Sequence, residues 1–408
     1  MPGPVSRRGR LRRLALAVGL ALLTAAPAGG QGRQGVSLPA PGGPHTLGTT
    51  LLHLVDSTRA DLVDGARRRE VMVQLWYPAA RGGGERAPYM AGALVDTLRR
   101  EGYYEVDSTT FAAWRRLRTH AREDAPPAAG PSFPVLLLSH GFGVSRSSYT
   151  ALAEELASHG YAVAAVDHPY GGITLLPDGR VLSVAADTGD VRSEATLGSR
   201  VRQWAADASF VLDRLRAMDA APAGRFAGRL DLARAGMLGH SLGGAAAVEA
   251  CRTDPRFRAC ADLDGALYGP AGELGPGGPT LVVRSRPLYS DAELAARGRT
   301  RAGWDSLGAE IAGRFRVLFA KRPEVPAYHL QLAGTGHMSF SDAPFTFPVA
   351  VNRFGGRIIA PERGHRVLSA YLRAFFARHL GGGIGADGGD GGLLDAPSPR
   401  YPEVVFVK

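Results

Sequence analysis

The chain has 408 residues, 45% of them hydrophobic, which is enough for one large α/β domain or two small ones with a buried core. The formal net charge is +10, but the basic residues are nearly all arginines spread along the chain without an aromatic-interleaved basic stripe, so we expect no nucleic-acid binding. No stretch approaches the roughly 20 apolar residues that cross a bilayer. Neither CxxC nor HExxH spacing occurs, and we expect no metal or other cofactor.

The first 28 residues have the pattern of a secretory signal peptide. Five arginines between Arg7 and Arg13 precede the apolar run Leu14–Leu23, and Ala26-Pro27-Ala28 supplies small residues for cleavage. A retained membrane anchor is the less favoured alternative, because the apolar run is short. We therefore predict a secreted or periplasmic protein, with a Gly/Pro-rich linker over residues 29–45 and a folded domain over residues 46–380.

Strand and helix patterns alternate from residue 50 onward. Continuous apolar runs such as Pro134–Leu138 are typical of strands buried on both faces, and residues Arg200–Met218 have the periodicity of a packed helix. The predicted strands are Thr50–Val55, Val71–Tyr77, Pro134–Leu138, Ala162–Val166, Arg234–Leu238, Cys260–Leu263, Thr280–Val283 and Tyr328–Leu332, and the predicted helical segments are residues 93–126, Tyr149–Ser158, Arg200–Met218, Ala245–Ala250 and Val367–Leu380. This alternation predicts an α/β protein with a mostly parallel, doubly wound sheet and helices on both faces.

The two cysteines, Cys251 and Cys260, are close in sequence. In an exported protein they are able to close a short loop as a disulfide. Both also lie in apolar surroundings, where a buried free thiol is ordinary. The sequence leaves the two alternatives open.

The segment Gly239-His240-Ser241-Leu242-Gly243 matches the GxSxG pattern of serine hydrolases. In a chain with 54 glycines the pattern alone is weak, but here a strand pattern precedes it and an alanine-rich helix pattern follows. That context exposes a serine on a sharp turn above a helix N-terminus. We therefore predict Ser241 as a nucleophile.

Acyl transfer also needs hydrogen-bond donors for the oxyanion that develops on the substrate carbonyl. The first expected donor is the N–H after the nucleophile, that of Leu242. For the second we predict the Phe142 N–H, because His140-Gly141-Phe142-Gly143 follows an early strand and its glycines let the backbone approach the substrate. We expect His140 itself to be a structural histidine rather than a proton carrier.

Four histidines follow Ser241 at a sufficient distance to act as its base. His337 is favoured because Gly334-Thr335-Gly336-His337 directly follows the last predicted strand. His365, at the start of the final helix, is the second choice. His329 lies inside a strand and His379 on a terminal helix, where core or surface roles are more usual.

Three aspartates are candidates for the acid that orients the base. Asp262 and Asp264 end one strand, and period-two alternation puts both on the same face, so periodicity does not separate them. Asp264 is nearer the carboxyl end of the strand, where open α/β sheets place their sites. Asp291 lies beyond the following strand.

Taken together, these motifs resemble one known family. The segments Gly239–Gly244, Leu263-Asp264, His140–Gly143 and Gly336-His337 are similar to those of platelet-activating-factor acetylhydrolases of the plasma type and their bacterial relatives. The resemblance covers most of residues 70–380 and implies the α/β-hydrolase fold. It implies Asp264 rather than Asp291 as the acid, Phe142 and Leu242 as oxyanion donors, and calcium-independent hydrolysis of short or oxidised acyl chains of phospholipids.

Two segments depart from the family pattern. Residues 287–326 form an insertion before His337, and residues 381–408 form a Gly-rich linker and a C-terminal tail outside the core pattern. Helically spaced apolar residues in the insertion are flanked by arginines and Lys321, which predicts either contact of residues 301–322 with a lipid surface or a lid over the site. A helix packed on the body by its apolar stripe is the favoured interpretation.

The sequence thus predicts an exported serine carboxylic-ester hydrolase that cleaves short acyl esters, including those of phospholipids. A polyester-cleaving or general esterase is the alternative. An amidase or peptidase, and a catalytically inactive binding protein, are less favoured. Neither the acyl specificity nor the oligomeric state follows from the sequence.

Overall fold

The computed structural model describes residues 36–102, 106–186, 193–347, 359–381 and 392–407. The predicted signal peptide, residues 1–28, lies outside the described residues, and so does the predicted linker up to residue 35. Within the described ranges, no helix combines the length and the apolar character that crossing a membrane requires.

A mixed sheet of 11 strands forms the centre of the molecule, in the spatial order β13-β12-β11-β10-β9-β5-β6-β2-β1-β4-β3. The strands are β1 (Leu47–Ala60), β2 (Arg68–Pro78), β3 (Arg86–Pro88), β4 (Arg118–Glu123), β5 (Phe133–Ser139), β6 (Ala162–Asp167), β9 (Leu230–His240), β10 (Phe257–Leu263), β11 (Thr280–Arg286), β12 (Ala327–Ala333) and β13 (Val404–Phe406), while β7 (Ile173–Leu175) and β8 (Val181–Ser183) form a separate hairpin. The six strands from β6 to β12 across the middle are parallel, and β2 and β13 join them antiparallel.

Helices cover both faces of this sheet. The helices are α1 (Gly92–Glu101), α2 (Ser108–Arg116), α3 (Thr150–Ser158), α4 (Glu194–Ala220), α5 (Leu242–Thr253), α6 (Pro270–Leu274), α7 (Asp291–Ala296), α8 (Arg301–Ala320), α9 (Ala343–Thr346) and α10 (Pro361–Leu380). Alternation along β5 divides the core, because Leu136 and Leu138 pack with α3 and α10 whereas Val135 and Leu137 pack with α4 and α5. The α/β-hydrolase fold with a doubly wound sheet is therefore confirmed.

Residues 93–126 differ from the continuous helical segment that we predicted. They form α1, α2 and the short strand β4. The helix α1 ends at Gly102, whose φ of 60° is left-handed, and Asp107 caps α2 by accepting from the Thr110 N–H. The next segment alternates, with Thr119 and Ala121 buried, and pairs with β1 and β3 as a strand.

The predicted insertion, residues 287–326, contains α7 and α8. Helix α8 lies against the body by the side that carries Phe315 and Leu318, which are buried together with Val282 of β11. This is the packing that the favoured interpretation expected. Val317 and the charged side chains of Arg314 and Arg316 are exposed on the other side.

The C-terminal segment does not lie outside the core pattern, and that prediction is wrong for residues 392–407. Strand β13 pairs antiparallel with β12, and Leu393, Leu394 and Tyr401 are buried in the core cluster of α3 and α10. The physical reason is that three successive apolar residues, Val404–Phe406, are able to cover the otherwise open edge of β12.

A disulfide joins Cys251 near the end of α5 to Cys260 in β10. The structure therefore has the paired form of the two alternatives that the sequence left open. The bond ties the helix that follows Ser241 to the strand that leads to Asp264.

Candidate active site

Ser241 lies on a sharp turn between β9 and α5. Its backbone is left-handed, with a φ of 56°, and its N–H donates to the Leu263 carbonyl of β10 at 2.9 Å. The turn is tight enough that a Cβ on Gly239 would lie 2.1 Å from the Gly243 carbonyl oxygen, and one on Gly243 would lie 2.4 Å from that of Ser139. Only glycine fits at both positions, which explains the spacing of the motif.

His337 opens a short 3₁₀ turn, His337–Phe340, just beyond β12. Its Nε2 is 3.0 Å from the Oγ of Ser241, and its Nδ1 is 2.7 Å from the Oδ2 of Asp264. Half of the imidazole side chain is exposed, so solvent reaches this histidine. The structure thus brings together the three residues that the sequence selected as nucleophile, base and acid.

Asp264 follows β10 and is enclosed by donors. The N–H and Oγ of Ser285 donate to its carboxylate at 2.9 and 2.8 Å, and the Nε of Arg284 is 3.3 Å away. Burial alone would raise the pKa of Asp264, but the hydrogen bond from His337 and the charge of Arg284 outweigh it and hold the pKa below the ordinary value. An ionised Asp264 only accepts, so the Nδ1 of His337 carries a proton and its Nε2 is free to accept from Ser241.

Asp262 lies two residues earlier on the same strand but has a different environment. Its Oδ1 accepts from the Gly265 N–H at 2.7 Å, and its Oδ2 has no hydrogen-bond partner among the described residues. Burial raises the pKa of Asp262 to about 7. The structure therefore separates two aspartates that periodicity did not, because Asp264 rather than Asp262 contacts His337.

The other candidate residues lie elsewhere. Asp291 begins α7 with its side chain 80% exposed and pairs with an arginine of α8. His329 is buried beside Phe315, and the ring of His365 lies 6.0 Å from that of Phe345. His379, which lies on the last helix, contacts the ring of Tyr328 in β12.

The two predicted oxyanion donors belong to backbone segments beside Ser241. Leu242 is the first residue of α5, where helical N–H groups have no partner within the helix. The loop that carries Phe142 follows β5, and at Gly141 it comes so close that an added Cβ would lie 3.3 Å from the Cβ of Ser241. Neither the Phe142 nor the Leu242 N–H donates to a described residue.

Four residues of the site were not found from the sequence. Arg284 and Ser285 hold Asp264, and the register of β11 beside β10 would have placed them at the same sheet edge. Tyr149 and His240 connect the loops of the site, and no pattern in the sequence indicated them. Among the residues that the structure describes, no group of three or more His, Cys, Asp or Glu side chains is arranged to hold a metal ion.

A serine nucleophile with its base and acid requires this geometry. A hydroxyl, an imidazole and an ionised carboxylate form one hydrogen-bonded series, with backbone donors on the adjoining loop and helix. Such an arrangement transfers an acyl group from an ester or amide to the serine oxygen and then to water.

Comparisons with known proteins give a consistent result. The family model described as "Alpha/beta hydrolase family" matches residues 135–397, and that described as "Platelet-activating factor acetylhydrolase, isoform II" matches residues 31–170. A probable 1-alkyl-2-acetylglycerophosphocholine esterase of Arthroderma benhamiae is 26% identical over 91% of this chain and 93% of its own length. The platelet-activating factor acetylhydrolase of Cavia porcellus is 25% identical over 58% of this chain and 57% of its own length.

A solved structure is similar over nearly the whole chain. The ferulic acid esterase from Streptomyces cinnamoneus superposes with a TM-score of 0.71 at 34% sequence identity. The match covers 92% of this chain and 100% of that esterase. The first relative and this structural neighbour are named as esterases, and the second relative is named as an acetylhydrolase.

Proposed function

Because the chain belongs to the alpha/beta hydrolase family and is an ester hydrolase, we propose that it cleaves short acyl esters through Ser241, His337 and Asp264. The observation that carries this proposal is the continuous contact from the Ser241 hydroxyl through His337 to Asp264, with distances of 3.0 and 2.7 Å. An inactive binding protein would have no need of this order and geometry.

The proposed reaction follows from the positions of the protons in the contacts of His337 with Ser241 and Asp264. The Oγ of Ser241 attacks the ester carbonyl carbon as its proton moves to the Nε2 of His337, and the carbonyl oxygen becomes an anion that the Phe142 and Leu242 N–H groups stabilise. The tetrahedral intermediate collapses, and His337 returns the proton to the departing alcohol. Water, as its proton moves to His337, then attacks the acyl-serine carbonyl carbon, and the second tetrahedral intermediate collapses. The acyl–oxygen bond breaks, the acid is released, and His337 returns the proton to the Oγ of Ser241. Asp264 stays ionised and holds the imidazole in the productive orientation.

A kinetic comparison tests the assignment of the nucleophile. Ser241→Ala is expected to reduce hydrolysis of p-nitrophenyl acetate by at least about 10⁴-fold, because no other group supplies the attacking oxygen. Ser306→Ala, an exposed serine of α8, is the matched control and keeps full activity. Full activity of the Ser241→Ala variant would rule out the proposed mechanism.

Two substrate classes have support. One relative is named as a 1-alkyl-2-acetylglycerophosphocholine esterase and another as a platelet-activating factor acetylhydrolase, and these names favour a short acyl group on a phospholipid. The solved neighbour is named for ferulic acid, which makes an aromatic acid ester the second candidate. We propose the first class, because its relatives' names agree with the family model over residues 31–170.

A substrate series separates these classes from a general esterase. The values of kcat/KM are compared for p-nitrophenyl esters from acetate to octanoate, for 1-alkyl-2-acetylglycerophosphocholine, for methyl ferulate and for p-nitroacetanilide. The release of soluble products from a polyester film is measured alongside them. The proposal predicts preference for acetyl esters, including the phospholipid. Preference for methyl ferulate supports the second candidate, and cleavage of p-nitroacetanilide at a similar rate would indicate an amidase.

We also propose that the protein is exported and that residues 1–28 are removed. The disulfide between Cys251 and Cys260 supports this, since such bonds persist in oxidising compartments. Intact mass measurement of the protein recovered from the periplasm or medium is expected to show an N-terminus near residue 29. A full-length mass in the cytoplasmic fraction contradicts export.

Contact with a lipid surface through residues 301–322 rests on charge alone. The apolar side of α8 is occupied, because Phe315 and Leu318 pack on the body, whereas Arg314 and Arg316 are exposed. The proposal therefore predicts salt-sensitive co-sedimentation with anionic vesicles and none with neutral ones. A double Arg314→Gln, Arg316→Gln variant is expected to lose it, and equal binding by that variant rejects this surface.

A further inference from the structure

Both polar groups of Gly141, the residue before the proposed oxyanion donor, are bound to buried side chains. The Gly141 N–H donates to the hydroxyl oxygen of Tyr149 at 2.9 Å. The Nδ1 of His140 lies 2.7 Å from the Gly141 carbonyl oxygen, and because a carbonyl only accepts, that nitrogen carries the proton. Gly143, two residues further along the loop, is fixed as well, because its N–H donates to the Gly171 carbonyl at 2.7 Å.

The bond to the Gly141 carbonyl fixes the direction of the Phe142 N–H. The two groups belong to one planar peptide unit, and in a trans peptide the C=O and N–H point in opposite directions. Rotation of that peptide would break the bond from His140. Because His140 holds the Gly141 carbonyl, the Phe142 N–H on the opposite side of the same peptide unit keeps a fixed direction.

His140 is itself held in the required tautomer. Its Nε2 accepts the backbone N–H of His168 at 3.1 Å, and its ring packs against the edge of Trp204. Burial lowers the pKa of His140 to about 3, so the ring is neutral and has one donor and one acceptor nitrogen. Both nitrogens are satisfied by these contacts.

A second Ser-His-Asp set lies behind this histidine. His168 contacts the Oγ of Ser139 at 2.7 Å and the Oδ2 of Asp207 at 2.9 Å, and Arg69 donates twice to Asp207. The ring of His168 stacks on Trp204 with centroids 4.4 Å apart. Ser139, His168 and Asp207 are completely buried, so this set has the contacts of a triad without access for a substrate, and its position suits support of the loop.

Tyr149 links the same loop to the loop of His337. Because the Tyr149 oxygen accepts from Gly141, its hydroxyl proton is available to the Nδ1 of His240, 2.8 Å away. The Nε2 of His240 then donates to the His337 carbonyl at 2.9 Å. Burial lowers the pKa of His240 to about 3, so this ring is also neutral. One hydrogen-bonded series thus extends from the backbone of His337 to that of Gly141.

We propose that His140 and Tyr149 are positioning residues that clamp the Gly141 backbone and so aim the Phe142 N–H at the substrate carbonyl oxygen. Neither side chain takes part in proton transfer. Through His240, Tyr149 also sets the oxyanion loop relative to the base. This inference rests on the proposed function, since it takes Ser241 as the nucleophile and Phe142 as a donor.

The test uses a substrate pair that reports on the oxyanion donors. The activities of wild type, Tyr149→Phe, His140→Leu and His140→Asn are compared on p-nitrophenyl acetate and on its thionoester, in which sulfur replaces the carbonyl oxygen. A sulfur anion is larger and accepts hydrogen bonds poorly, so it gains little from well-aimed N–H groups. Tyr371→Phe is the matched control, because it removes a buried tyrosine hydroxyl that has no hydrogen-bond partner among the described residues.

Tyr149→Phe is expected to lower kcat for the ester about 10-fold with little change in KM, a fraction of the 10²–10³ that loss of an oxyanion donor costs. The rate on the thionoester changes less, so the ratio of the ester rate to the thionoester rate falls. His140→Leu lowers the ratio further, and His140→Asn recovers part of it because its amide nitrogen is able to replace the Nδ1 donor. Tyr371→Phe leaves the ratio unchanged.

Equal losses on both substrates, or no loss in either His140 variant, would overturn the proposal. If Tyr149→Phe does not fold, the contrast between His140→Asn and His140→Leu decides the question by itself. The outcome is separable from the proposed function. Activity that survives Ser241→Ala refutes that function, whereas an inactive Ser241→Ala variant with an unchanged substrate ratio in these variants refutes only the clamp.

Discussion

Asp262 is a buried carboxyl whose replacement by asparagine should change how the stability of the protein depends on pH. Its pKa rises from the ordinary aspartate value of 3.8 to about 7 in the folded protein, because burial disfavours its charge. Above pH 3.8 the unfolded chain gains free energy by ionising, while the folded protein stays protonated until about pH 7. The stabilising contribution of Asp262 to the free energy of unfolding is therefore fully present below pH 3.8 and is lost as the pH rises towards 7.

The size of the effect follows from the two pKa values. A difference of about three pKa units corresponds to about 4 kcal/mol of unfolding free energy at full ionisation. Roughly a third of that loss has already occurred at pH 5, which leaves about 3 kcal/mol between pH 5 and pH 8. Asparagine has nearly the same shape and does not ionise, so Asp262→Asn avoids this loss.

Urea unfolding of wild type and Asp262→Asn at pH 5 and pH 8 measures the difference. The variant should gain about 3 kcal/mol relative to wild type on going from pH 5 to pH 8, with unchanged m-values. Asp291→Asn is the matched control, since that carboxylate is exposed, and its effect should stay within about 0.5 kcal/mol at both pH values. A variant-to-wild-type difference that does not change with pH would refute the assigned burial effect on Asp262.

Three further outcomes follow from the site and its supports. Asp264→Asn should lower kcat for p-nitrophenyl acetate by roughly 10⁴-fold at pH 7, because the amide no longer holds the imidazole in the productive tautomer. Replacing both Cys251 and Cys260 by serine should cost about 3 kcal/mol in urea unfolding, as expected for a short closed loop, and an unchanged midpoint argues against the bond. Gly243→Ala should abolish activity and folded yield, since its Cβ would lie 2.4 Å from the Ser139 carbonyl oxygen, whereas Gly308→Ala on the open side of α8 should retain both.

Much of the fold was predictable because its signals are local. Continuous apolar runs identified the central strands, and the alternation of strands and helices gave the parallel sheet. The C-terminal strand was missed because Val404–Phe406 is too short to give a period of its own, and only the exposed edge of β12 makes it a strand. Such a contact between distant segments is invisible to a local pattern.

The candidate site shows the same division. Chain order and strand ends selected Ser241, His337 and Asp264, and the resemblance to platelet-activating-factor acetylhydrolases, which the comparisons confirm, chose Asp264 over Asp291. Periodicity had no means of separating Asp262 from Asp264. The difference arises from Arg284 and Ser285 on the adjacent strand, whose contacts depend on the register of the folded sheet.

Tyr149 and His240, which connect the loop at Gly141 to the loop of His337, had no signal in the sequence. Tyr149 lies in a 3₁₀ turn and His240 inside the serine motif, and each is an ordinary residue until the sheet brings them within 2.8 Å. Their hydrogen bonds depend on the third dimension of the fold. The sequence predicted His140 as a satisfied structural histidine without showing which backbone group it holds.

Labelling with a fluorophosphonate probes the proposal that Ser241 is an activated nucleophile. The probe reacts with a serine only when a base withdraws its proton and donors stabilise the new oxyanion. Intact and peptide mass measurements should show one adduct on the peptide that contains Ser241 in wild type and none in Ser241→Ala, with slower labelling in Asp264→Asn. Absence of an adduct in folded wild type, or an adduct on another serine, would contradict the claim.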